Sequence, residues 1–198
     1  MSTIPSLLKV TIPSGYRSQE VASFIAQLDD QTRRLTEDTR GLSIEDLEWQ
    51  PAPGMNTIGM LLAHNAIVEV FWCGVVFEGF ERDQVPIHDV LGIGSDDDGM
   101  PLKEGGAPPD VLKGKSLDFY DDLLVRARTH LKKILARVED ANLTDVVHRT
   151  NPAGGRRDVE ARWTLYHILE HYCGHYGQVL LLRHLRRATQ ESRATVKA

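Results

Sequence analysis

The sequence predicts an all-α fold built as a four-helix bundle. Two observations carry that expectation: four segments repeat apolar residues at the helical period, and each is about 22–28 residues long. A third is the length of 198 residues, enough for one domain with a substantial hydrophobic core. No internal repeat or low-complexity tract divides the chain, so residues 1–198 read as one domain.

The first segment covers about residues 17–40, where Val21, Phe24, Ile25, Leu28 and Leu35 follow the i, i+3, i+4, i+7 pattern and Gly41 supplies a stop. Ser43 can cap a short turn over Ile44–Leu47 before Pro51 and Pro53 break any helix. The second long segment, about 57–79 with Asn56 as its expected cap, carries Ile58, Leu61, Leu62, Val68, Trp72, Val75 and Val76. It is apolar around most of its circumference, which predicts deep burial. Residues 80–115, with "GIGSDDDGMPLKEGGAPPD", are rich in Gly, Pro and Asp and read as a long loop excursion, either a mobile surface loop or a lid. The third segment, about 116–139, places Ser116 and Asp118 at its start and Lys132, Lys133 and Arg137 near its end, as the helix dipole favours. Its stripe is Leu117, Tyr120, Leu124, Leu131, Leu135 and Val138. "NPAGG" at 151–155 signals a turn whose flanks suit a short hairpin. The fourth helix is expected from between Asp158 and Thr164 to about Arg187, with a polar, disordered tail over 189–198.

Composition narrows the function. With 23 Lys and Arg against 28 Asp and Glu the net charge is −5, which disfavours nucleic acid or an anionic membrane as partner. No run reaches about 18 apolar residues, so no membrane span is expected, and the first twenty residues do not read as a signal peptide. The two cysteines, Cys73 and Cys173, fall inside helical segments and do not resemble a disulfide framework. A cytoplasmic location is the expectation.

The chain has eight histidines, and "HILEHYCGHYGQ" sets three of them, His167, His171 and His175, at four-residue intervals. Helical residues four apart share a face about 6 Å apart along the axis, so two such imidazoles can reach one metal ion. Residues eight apart are separated by about 12 Å, too far for two bonds of about 2.0–2.1 Å. The pair is therefore either 167/171 or 171/175. His64, mid-helix among apolar residues, is the best source of a third ligand, because an unpaired polar group there is costly. His88 and His148 lie in loop and hairpin, and His130 and His184 stand beside basic residues.

"GLSIEDLEWQPAPGMNTIGMLLAHNAIVEVFW" and "RWTLYHILEHYCGHYGQVLLLRHL" together resemble the DinB-like family, which includes the YfiT-like metal-dependent hydrolases and thiol-dependent S-transferases. The resemblance spans roughly 17–79 and 116–187 and leaves 80–115 unaccounted for. It implies an up-and-down four-helix bundle with a long crossover, a homodimer, and a divalent ion, zinc or nickel. The ion would be held by one His on the second long helix and two on the last, which correspond to His64, His171 and His175. Where the family often has a further His before the last ligand, this chain has Gly174. Three imidazoles with an open position form a catalytic arrangement. Such an ion brings the pKa of bound water towards about 7 or stabilises a thiolate. The resemblance implies activation of a low-molecular-weight thiol for transfer to a small-molecule substrate. Metal-assisted hydrolysis is the close alternative, and a non-catalytic metal-binding stress-response protein the more distant one. Gln178, one turn past His175, is a candidate to orient a ligand or bound water. Glu69 and Glu170 are candidates to accept an imidazole N–H. His167 is a further candidate, as an outer partner or a substrate contact. Trp72, Tyr172, Cys73 and Cys173 read as packing residues.

Overall fold

Ser18 opens the first helix by accepting a hydrogen bond from the Val21 amide at 3.1 Å, which satisfies one of the free N–H groups of the first turn. The structure is a computed structural model that describes residues 9–150 and 154–197. Helix α1 spans Gln19–Thr39 and buries Val21, Phe24, Ile25, Leu28 and Leu35, the stripe read from the sequence. A reciprocal capping box between Ser43 and Asp46 starts the short α2, Ile44–Glu48, which inserts Leu47 into the core.

Helix α3, Ile58–Phe77, is capped by Thr57, whose hydroxyl accepts from Met60 N, so the cap lies one residue beyond the expected Asn56. Threonine wins here because its side chain sits beside the first free amides. By length and composition α3 could cross a membrane, but 67% of its apolar window is buried inside the protein. Gly59 permits its closest approach: a β-carbon there would stand 2.5 Å from the Tyr120 hydroxyl.

The 80–115 segment is more structured than a loose excursion. Helix α4, Ile87–Leu91, packs between α3 and the next long helix, and a 3-10 turn forms at Asp110–Leu112. Ile87, Leu91, Ile93 and Leu112 are buried, so apolar anchors fix the segment to the bundle despite its loop-like composition. Helix α5 spans Leu117–Leu135; Ser116 occupies its cap position without a side-chain cap bond. Strands β1, Val146–Thr150, and β2, Arg156–Glu160, form the expected antiparallel hairpin. Helix α6 follows at once and runs over Ala161–Lys197. It therefore continues about three turns past the expected end near Arg187, into the residues expected to form a disordered tail. No Gly or Pro interrupts 178–197, and Arg186 ties the helix to Asp46 at 3.1 Å.

The four long helices form the predicted bundle. Helix α3 packs on α5 and α6, and α1 packs on α6 and α5, which sets α1 and α3 on one diagonal. A buried charge cluster joins three of them: the Arg128 guanidinium of α5 reaches both Glu69 oxygens of α3 at 2.7 and 3.0 Å, and Asp29 of α1 at 2.7 Å. Burial opposes the charge on Arg128, but the two carboxylates outweigh it and raise its pKa. Arg128→Met alone would strand Glu69, which is 0% exposed, and is expected to cost about 3–5 kcal/mol. Arg128→Met/Glu69→Leu should recover most of that loss in urea denaturation. A single variant as stable as the parent would mean that the pair is not desolvated as described.

Candidate metal centre

Helix α3 presents His64 and helix α6 presents His171 and His175 to one point in the bundle. Nε2 of His171 lies 3.1 Å from Nε2 of His64 and 3.2 Å from Nε2 of His175. One donor atom from each of the three fits within 4.8 Å of the other two. Nitrogens bound tetrahedrally at about 2.0–2.1 Å would stand about 3.3–3.4 Å apart, close to these separations.

The outer nitrogens of two rings are already committed. His64 Nδ1 lies 2.7 Å from Asp98 Oδ2, and a carboxylate there accepts, so this nitrogen carries the proton and Nε2 keeps its lone pair. His175 Nδ1 donates likewise to Gln178 Oε1 at 2.9 Å. Lone pairs aimed at one point repel unless a cation or proton lies among them, so the donor set fits a divalent ion. All-imidazole ligation suits zinc, copper, iron or nickel.

The residue that orients His64 comes from the 80–115 segment. Asp98 is 3% exposed, and its second oxygen accepts from the Met100 amide at 2.9 Å. A turn tied by Gly94 N to Asp97 Oδ2, followed by Gly99 at φ 69°, points Asp98 inward.

The chain matches the mycothiol-S-transferase family over residues 23–188. It belongs to the mycothiol-S-transferase family. A conserved protein from Enterococcus faecalis, known from a crystal structure, superposes with a TM-score of 0.60 at 15% identity. That match covers 82% of this chain and 94% of the other, and shows the shared fold. No curated protein matches the chain.

In this mycothiol-S-transferase family member, His167 is set apart from the three convergent rings. Its Nδ1 lies 2.9 Å from Glu170, and its ring stacks on Trp163 at 4.7 Å and 9°. Its edge contacts are with Trp72 at 5.1 Å and His171 at 5.6 Å. The geometry therefore groups 171 with 175. Of the two glutamates considered as imidazole partners, Glu170 meets His167, while Glu69 is taken by Arg128. Asp98 fills the expected role for His64 instead. Gln178, a candidate to orient a ligand or bound water, meets the His175 ring at 2.9 Å. Cys73 is fully buried, which pushes its thiol pKa well up, and Tyr172 is buried as read. Trp72 is half-buried and faces a cluster of rings.

Burial first, and then the neighbouring His175, His64 and His167, pushes the His171 pKa down to about 3. Burial likewise lowers that of His175, although the bond to Gln178 works the other way. Both rings stay neutral at neutral pH with lone pairs available. Since the unfolded chain takes up protons near pH 6.5 and folded His171 only near 3, the metal-free protein is expected to lose stability steadily as pH falls through that interval. His171→Asn should flatten that slope in thermal unfolding followed across pH. Asp98→Ala is expected to weaken zinc binding about 10–100-fold in chelator competition while leaving helical content intact. Unchanged affinity would remove Asp98 from its orienting role.

Proposed function

We propose that the protein is a metal-dependent S-transferase that joins a low-molecular-weight thiol to a small-molecule electrophile. The observation that carries this reading is the convergence of the His64, His171 and His175 Nε2 atoms, with two of the outer nitrogens tied off. Membership of the mycothiol-S-transferase family supports the thiol as co-substrate.

His64, His171 and His175 act as neutral ligands. Asp98 and Gln178 hold the tautomers and ring angles of the first and last, so the donor atoms are in place before any ligand arrives. A divalent ion held there supplies positive charge to stabilise a thiolate at neutral pH. His167, clamped between Trp163, Trp72 and Glu170, forms one wall beside the three rings. The carboxylates nearest the rings are engaged, Asp98 with His64 and Glu170 with His167, so neither stands free to receive the thiol proton. Transfer forms a bond between sulfur and the electrophilic carbon while the bond from that carbon to its leaving group breaks; the leaving group departs with the electron pair, and the proton lost from the thiol passes to it or to solvent.

Cys73 and Cys173 are free thiols, which accords with a reducing, cytoplasmic setting. A homodimer belongs to the same reading, and sedimentation at micromolar concentration checks it. Protein purified without an affinity tag is expected to carry about one zinc or nickel per chain, lost in His64→Ala and His171→Ala. It should conjugate a low-molecular-weight thiol to electrophiles only when metal-loaded. Metal content unchanged in both variants would overturn the ligand set. Metal-dependent hydrolysis without thiol would replace transfer with hydrolysis, and metal binding without turnover of either kind would leave a binding protein.

A further inference from the structure

The hairpin has two faces with different charge balance. On one, His148 and Arg156 both meet the Asp158 carboxylate, at 2.9 and 2.7 Å. On the other, the register sets Arg149 directly opposite Arg157, beside the Val147–Val159 pair. Like charges directly opposite each other destabilise a strand pair. Among the described residues neither arginine forms an ion pair, and neither does Arg82, the third cation at this face. Glu81 acts on Arg149 only from longer range, and burial together with Arg82 and Arg157 lowers the Arg149 pKa.

The three guanidiniums instead lie on rings. Arg82 stands 5.3 Å from the Phe71 ring, Arg149 lies 5.1 Å from Phe71 and 5.3 Å from Trp72, and Arg157 lies 5.9 Å from Trp163. Phe71, Trp72, Arg82, Arg149 and Arg157 line a small cavity of about 120 Å³. Trp72, which forms part of its wall, also touches His167, and His167 touches His171. The cavity thus adjoins the wall of the three-histidine site.

We propose that this cavity binds the carboxylate of a flat organic anion, and, resting on the S-transferase reading, that the electrophile accepting the thiol carries that carboxylate. Paired guanidiniums present forked N–H donors that match a carboxylate. The anion supplies the charge that the Arg149–Arg157 pair lacks, and Phe71 and Trp72 offer flat apolar surface to the body attached to it. The cavity is too small for a large anionic polymer.

Benzoate, its neutral isostere benzamide and inorganic phosphate serve as probes, titrated against the zinc-loaded protein without any thiol and followed by tryptophan fluorescence. Saturable binding of benzoate is expected, at least tenfold tighter than that of benzamide or phosphate. Arg149→Met/Arg157→Met should weaken benzoate at least tenfold, leave zinc affinity unchanged and raise the melting temperature, since it removes a like-charge pair. Equal binding of benzamide would overturn the proposal using the parent protein alone, whatever the fate of the variant. Phosphate binding as tight as benzoate, or undiminished benzoate binding in a folded variant, would overturn it too. Because no thiol is present, failure of transferase turnover leaves this outcome standing, and failure of benzoate binding leaves the transferase assay standing.

Discussion

One helix can deliver only two side chains to a single point. Residues four apart meet, while residues eight apart are separated by about 12 Å of helix rise. A three-imidazole site in a bundle must therefore be shared between helices, and the packing of α3 against α6 is what brings it into being. His64 becomes a partner of His171 and His175 only when those helices lie in the right register. The core around them is accordingly tight: Met60, Leu61 and Ala63 of α3 and Ile168 and Tyr172 of α6 are nearly inaccessible. The apolar packing that stabilises the fold also fixes a donor separation close to 3 Å.

Beyond the three donors, the site is built in layers that differ in origin. Gln178 sits on the same helix as the ring it holds, so its placement follows from helical spacing alone. Asp98 arrives from a separate segment, through a turn, from 34 residues along the chain. His167 continues the α6 ladder but is drawn by Trp163 and Glu170 into the aromatic wall, which extends through Trp72 to the hairpin arginines. A three-histidine cluster, an aromatic partition and a cationic cavity thus follow one another across the face where α3, α6 and the hairpin meet.

Much of this was legible in the sequence because it depends on short-range periodicity. The Val21–Leu35 stripe and the His171/His175 spacing are local patterns, and the helices that carry them formed as read; the strands that flank the expected turn pair, while residues 151–153 of that turn lie outside the described residues. What escaped was tertiary. Nothing about three consecutive aspartates, Asp96, Asp97 and Asp98, says which one turns inward; the Gly94 and Gly99 geometry decides it. Glu69 looked available to a histidine because Arg128 is remote in sequence, 59 residues away, and only the packing of α3 on α5 brings them together. The polar composition at the end of α6 resembles a tail, although no Gly or Pro interrupts the helix there. The Arg149–Arg157 opposition needed the strand register, which is absent from any one-dimensional pattern.

The Asp98–His64 bond has a consequence for how readiness is set. The three imidazoles belong to the long helices, yet the orientation of His64 is set by a segment that Ile87, Leu91, Ile93 and Leu112 anchor in the bundle core. If that segment opens locally, the bundle stays folded while His64 is free to rotate. The fixed orientation of the His64 ring then holds only in the fraction of molecules in which the segment is docked. The docking of the 80–115 segment and the geometry of the three-histidine cluster are thus linked through one carboxylate, although the segment contributes none of the three imidazoles.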